Sequence, residues 1–177
     1  MPLPLIAVFG SGDAPPADLD RARRLGRALA EAGYGIINGG YGGTMDASAA
    51  GAREAGGVTI GVTCRAFTFR SGPNPHLQEV IEAPDLTTRI EILLTRASGY
   101  VVLPGGNGTL AELSLAWEHI RKGLLPGRGR PLVAWEHPWR RIIEVLAEGP
   151  YLRSNTDAII WVDSVERAVA EIRRGLG

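Results

Sequence analysis

Residues 104–112 read Pro104-Gly105-Gly106-Asn107-Gly108-Thr109-Leu110-Ala111-Glu112, directly after the apolar run Tyr100–Leu103 and directly before an amphipathic segment. That order describes a strand, a glycine turn and a helix start. A junction of this kind offers bare backbone N–H groups and the positive end of a helix dipole to an anion. Gly105, Gly106 and Gly108 let the backbone approach a phosphate closely. Thr109 is placed to cap the helix or to bond a ligand oxygen, and Glu112 falls about one turn inside. An anion cradle beside a carboxylate sets two repelling groups together, which chemistry would explain. The competing reading is a capping box, in which Thr109 caps and Glu112 reaches back to the cap N–H.

Two further glycine turns follow strand-like runs. Gly10-Ser11-Gly12 follows Leu3–Phe9, and Gly39-Gly40-Tyr41-Gly42-Gly43-Thr44 follows Tyr34–Asn38. Neither is a dinucleotide fingerprint, because Pro15-Pro16 stands where G-x-G-x-x-G requires its third glycine and helix start, and no Gly-Lys-Ser/Thr occurs. Three glycine turns at the carboxyl ends of strands outline one anion site made of Gly10, Ser11, Gly42, Gly43, Thr44, Gly105, Gly106, Asn107, Gly108 and Thr109.

The elements that position these turns alternate. Strands are expected at Leu3–Gly10, Tyr34–Asn38, Val58–Val62, Tyr100–Leu103, Leu132–Trp135 and Ala158–Val162. Helices are expected at Ala17–Ala32, Met45–Ala55, Leu86–Ser98, Thr109–Lys122 and Pro138–Leu146, with a last one opened by an Asp163–Glu166 capping box. Residues 63–84, with three prolines, read as an irregular and therefore functional or mobile stretch. Short buried strands alternating with helices imply an α/β chain: a Rossmann-like, doubly wound, mostly parallel sheet with helices on both faces, in a single domain over residues 1–177.

Composition narrows the chemistry. The 177 residues carry 19 basic and 19 acidic side chains, so no net field argues for nucleic acid or an anionic membrane as main partner. No apolar run approaches a membrane span, and the N-terminal run reads as a first strand rather than a signal peptide. Cys64 is the only cysteine, and His76, His119 and His137 are scattered, so neither a disulfide nor a metal site is expected. Lys122 is the only lysine and lies at the polar end of a helix pattern, a poor place for a Schiff base. Trp117, Trp135, Trp139 and Trp161 read as core or contact residues rather than a base-stacking platform. Arg128, Arg130, Arg140 and Arg141 read as solvated surface. A cytoplasmic protein fits all of this.

Pro104-Gly105-Gly106-x-Gly108-Thr109-x-x-Glu112 resembles the P-G-G-x-G-T-x-x-E signature of the "Lonely guy" family of nucleoside 5′-monophosphate phosphoribohydrolases, often labelled "possible lysine decarboxylase". Phe9-Gly10-Ser11 and Gly39–Met45 match the family's other turns. Arg89 stands fifteen residues before the signature proline, at the spacing of the family's catalytic arginine. The resemblance implies a catalytic pair of Glu112 and Arg89, hydrolysis of an N-glycosidic bond with no cofactor, and a homodimer with sites near the subunit interface. Ile90 and Leu86 depart from the family's M-x-x-R-K helix, and Val62–Phe67 has no P-K-E segment, so the hormone-making role does not transfer. The decarboxylase label finds no suitable lysine. The alternative within the same fold is a non-catalytic carrier of a nucleotide or of a pterin-type molybdenum cofactor. Under the catalytic reading, Arg89 would bind phosphate or hold Glu112 ionised, since it cannot act as an acid at neutral pH. Arg96, on the same helix face, is either a second phosphate contact or surface.

Overall fold

Strand β1 (Leu5–Phe9) lies at the centre of a seven-stranded sheet, and its last four residues are buried because helices cover both of its faces. The computed structural model describes residues 3–67, 72–125, 129–150 and 156–177. Toward one edge follow β2 (Gly35–Asn38), β3 (Thr59–Cys64) and β4 (Glu79–Ala83). Toward the other lie β5 (Gly99–Val102), β6 (Leu132–Trp135) and β7 (Ile159–Val162). The order β4-β3-β2-β1-β5-β6-β7 is parallel at every pairing.

The chain winds outward from β1 through α1 (Pro16–Glu31) and α2 (Thr44–Glu54). It then crosses back through α3 (Leu86–Arg96), and winds out on the other side through α4 (Asn107–Arg121) and α5 (Glu136–Ala147), closing with α6 (Val165–Leu176). Reversing the winding direction between β1 and β5 places the two sets of crossovers on opposite faces, since each crossover is right-handed. Helices α1, α2 and α6 pack together on one face. The result is a single α/β domain of the Rossmann-like, doubly wound kind. The reversal opens a crevice beyond the carboxyl ends of β1 and β5.

The structure revises four local expectations. Residues 63–84 hold regular structure: β3 runs on to Cys64, and β4 pairs with it from Ile60↔Glu79 to Cys64↔Ala83. As an edge strand, β4 exposes Glu79, Val80 and Glu82, which hides its period in the sequence. Helix α4 begins at Asn107 with Gly106 as its cap residue, and no side chain caps it. Thr109 is thus the third helical residue and Glu112 the sixth, which removes the capping box. Helix α6 starts after Ser164, also without a side-chain cap, so Asp163 and Glu166 form no box either. Arg130 is half-buried rather than plain surface: its guanidinium donates to the carbonyls of Leu94 and Ala97 and to the Tyr100 hydroxyl, closing the carboxyl end of α3. Arg140 pairs with Glu136 and Glu144 at the surface, as expected; Arg128 lies outside the described residues. Trp117, Trp135 and Trp139 are core residues.

Candidate functional site

The first N–H groups of a helix have no partner within it. At α4 they belong to Asn107, Gly108 and Thr109. A Cβ placed at Gly106 or at Gly108 would meet nothing within 4 Å. The amides therefore open onto a free approach. At the other helix starts nearby this opening is closed. The Asp85 side chain takes the Thr88 N–H at α3 (2.8 Å). The Ser11 carbonyl takes the Thr44 N–H at α2 (2.9 Å).

The open cradle belongs to a cavity of about 250 Å³ in the crevice, lined by Gly10, Ser11 and Gly12 after β1, Gly39 and Tyr41 after β2, and Gly106–Thr109 after β5. The remaining sequence-designated turn residues support these rather than line the cavity. Gly43, at φ +65°, lies against Ser11 and Gly12, where a Cβ would stand 2.3 Å from the Ser11 oxygen. Thr44 bonds that same oxygen through its N–H and through Oγ1 (3.0 Å). Gly42 is exposed on the rim, and Gly105 is the surface against which the Thr109 side chain rests.

Arg89 and Glu112 do meet in the cavity. Glu112 is 8% exposed and Arg89 6%. Nη1 stands 3.6 Å from Oε1, close enough for attraction and too far for a direct hydrogen bond. The rest of the guanidinium ties strand ends together: Nε donates to the Val62 carbonyl (2.7 Å) and Nη2 to the Gly39 carbonyl (3.0 Å). Gly39 is glycine for this reason, as a Cβ there would fall 1.8 Å from Nη2. The rings of Tyr41 and Phe67 flank the guanidinium carbon, each at 5.8 Å. Arg89 is therefore a fixed cation, held by carbonyls and aromatic faces. Arg96 pairs with Glu79 at the surface (3.1 Å) and takes no part in the cavity.

Burial raises the Glu112 carboxyl from 4.5 to about 7, and the nearby Arg89 charge lowers it by less. Desolvation thus outweighs attraction. A carboxyl poised near neutrality can accept or return a proton, the property required of a general base. Among the described residues, no cluster of three metal-ligating side chains is found.

Reading the sequence misses Tyr41 and Phe67, which flank Arg89, and Met45 and Leu86, which line the cavity. Tyr41 and Met45 lie in the Gly39–Met45 turn and Leu86 three residues before Arg89, stretches read for their motifs rather than as walls, and Phe67 carried no signal.

Residues 3–126 match the model of the SLOG cluster4 family. Over 173 residues the chain is 33% identical to the cytokinin riboside 5′-monophosphate phosphoribohydrolase of Mycobacterium tuberculosis, covering 93% of this chain and 90% of the relative. Among solved structures, the molybdenum cofactor carrier protein of Chlamydomonas reinhardtii aligns with a TM-score of 0.77 at 26% identity, covering 98% of each chain. The molybdenum cofactor binding protein of Rippkaea orientalis aligns at 0.78 and 22% identity, covering 98% of each chain, a likeness of fold. Relatives of this chain thus include both a nucleoside-phosphate hydrolase and a cofactor carrier.

Proposed function

The chain belongs to the SLOG cluster4 family, and from that premise we propose that it hydrolyses the N-glycosidic bond of a nucleoside 5′-monophosphate to a free base and ribose 5-phosphate. The observation that carries this reading is the buried Glu112 carboxyl, poised near neutrality beside Arg89 in the same cavity as the open amide cradle. The 5′-phosphate rests on the N–H groups of Asn107, Gly108 and Thr109. The bond from C1′ to the base nitrogen breaks, and its electron pair leaves with the base. A water oxygen bonds to C1′ and its proton passes to Glu112, while a proton equivalent to that one ends on the departing base. Positive charge that builds on the ribose ring meets the Glu112 carboxylate. Arg89 keeps that carboxylate in place and lowers its proton affinity.

The test is chromatography of AMP, GMP, CMP and UMP after incubation with wild type and with Glu112→Gln. Wild type releases free base, and the amide variant loses about 10²-fold or more, the usual worth of a general base. Full turnover by Glu112→Gln removes the carboxylate from the mechanism.

A second reading is carriage of a pterin-type molybdenum cofactor or a nucleotide without turnover. The end-to-end likeness to the Chlamydomonas carrier favours it, and the solved-structure comparisons weigh more on this side than on the hydrolytic one. Tight binding of such a ligand with no base released would decide for it. Under either reading the partner is a small phosphorylated heterocycle rather than nucleic acid, and the chain works as a cytoplasmic homodimer. No helix among the described residues is long and apolar enough to cross a membrane.

A further inference from the structure

On β2, the Ile36 N–H donates to the carbonyl of Val58, just before β3 (2.9 Å). Carbonyls at every second position from there, including those of Val62 and Cys64, point to the same side of β3. Strand β2 stops at Asn38, opposite Gly61, so beyond that point side chains take over the ladder. Arg89 Nε donates to the Val62 carbonyl (2.7 Å). The Tyr41 hydroxyl donates to the Cys64 carbonyl (3.2 Å) and accepts from the Cys64 N–H (2.8 Å). Tyr41 also stands two residues after Gly39, whose carbonyl accepts from Arg89 Nη2 (3.0 Å). The Tyr41 carbonyl is held in turn by the Asn74 side chain (3.0 Å). The hydroxyl therefore joins the turn that carries Gly39 to the strand that carries Val62, alongside the bridge made by the arginine. Tyr41 is 5% exposed and its ring lies 5.8 Å from the guanidinium carbon, so close packing leaves it little room to shift.

The ion pair beside it is held short of closure. Arg89 Nη1 and Glu112 Oε1 stand 3.6 Å apart, whereas a guanidinium free to settle on a carboxylate closes to about 2.7–2.9 Å. The charged side chains among the described lining residues are these two, so the spacing between them decides how far the buried carboxylate is compensated. Resting on the reading of Glu112 as proton acceptor, we propose that Tyr41 is a positioning residue: its hydroxyl locks the two carbonyls that grip Arg89 and so keeps the guanidinium from closing on Glu112. A closed pair would favour the carboxylate over the acid and leave a weaker base. An arginine held off at its present distance steadies the carboxylate without stripping it of its hold on a proton.

NMR titration of isotope-labelled glutamate carboxyls tests this, with Glu112→Gln identifying the resonance. Wild type should titrate at about 7. Tyr41→Phe keeps the ring and removes the hydroxyl, and its Glu112 midpoint should fall toward 4.5. Tyr100→Phe removes another buried hydroxyl, from the Leu94 carbonyl, and should leave the midpoint in place. A Tyr41→Phe midpoint that stays or rises, or an equal fall in Tyr100→Phe, overturns the proposal. Wild-type crystals at about pH 8 serve where Tyr41→Phe does not fold. Nη1 and Oε1 should stay about 3.6 Å apart although the carboxylate is charged, and contraction to about 2.8 Å rejects the role given to Tyr41. The titration reads a proton and not a product. A protein that releases no base while its midpoints move as stated loses the hydrolytic reading and keeps Tyr41 in this role.

Discussion

Replacing Glu112 by Gln should make the folded protein more stable at alkaline pH while leaving it nearly unchanged in acid. The carboxyl lies at about 7 in the folded chain against 4.5 when unfolded. Between those values the folded chain keeps a proton that the unfolded chain has released, so raising the pH draws the equilibrium toward unfolding. The penalty is absent below about pH 4.5, grows across the window and is complete above about pH 7. A shift of this size amounts to about 3 kcal/mol, at roughly 1.4 kcal/mol per unit. Gln has nearly the same shape and no charge to lose, so it carries no such penalty. Urea unfolding of both proteins from pH 4 to 9, compared at each pH, cancels the titration of every other group. The wild-type deficit should open by about 3 kcal/mol between about pH 4.5 and 7, equivalent to a thermal midpoint difference of about 6–12 °C for a chain of this size. Parallel stability curves would refute the reasoning, and with it the placement of an unscreened carboxyl beside Arg89.

Other outcomes follow from the same geometry. Asn107→Pro removes one cradle N–H at the helix position that best tolerates proline, after a Gly106 that is already extended. Stability should stay within about 0.5 kcal/mol of wild type. Phosphate-dependent thermal protection should meanwhile weaken by the loss of one charge-assisted bond, roughly 10- to 150-fold in affinity. Gly39→Ala drives a Cβ into the Arg89 guanidinium; it should cost about 1–3 kcal/mol in denaturant unfolding and displace the arginine from Glu112. Arg89→Met leaves the Glu112 carboxyl without its counter-charge, so denaturation at pH 8 should show a loss of about 3–5 kcal/mol that shrinks toward pH 4, where the carboxyl is neutral. If base release occurs, its rate should climb with pH through about 7 as Glu112 ionises, and a rate that falls across that range would exclude the carboxylate as base.

Much of the architecture could be read without coordinates, for a physical reason. Central parallel strands are buried on both faces, so β1, β5 and β6 appear as unbroken apolar runs. Glycines mark where these strands end. The edge strand β4 has one hydrogen-bonded neighbour and an exposed pattern, and it disappears among prolines. The start of α4 was legible as a strand–turn–helix junction but placed two residues late, because Asn107 and Gly108 look like turn residues until the missing side-chain cap is seen. The family signature pointed to Arg89 and Glu112, yet no pattern disclosed that Arg89 is buried. On the helix it merely borders the apolar stripe, and its partners are two carbonyls and two rings from other loops. Gly39 belonged to a turn read as a phosphate grip, and it turned out to be the floor beneath that arginine.

The Arg89 bonds to Gly39 and Val62 join positions 50 and 27 residues apart along the chain. No local stretch of sequence can therefore pre-form the pocket. The guanidinium has both carbonyl partners only where β2, β3 and α3 are assembled together. A chain in which β2, β3 or α3 has come apart lacks this fixed cation, so a ligand that depends on it would report that these three elements are in place.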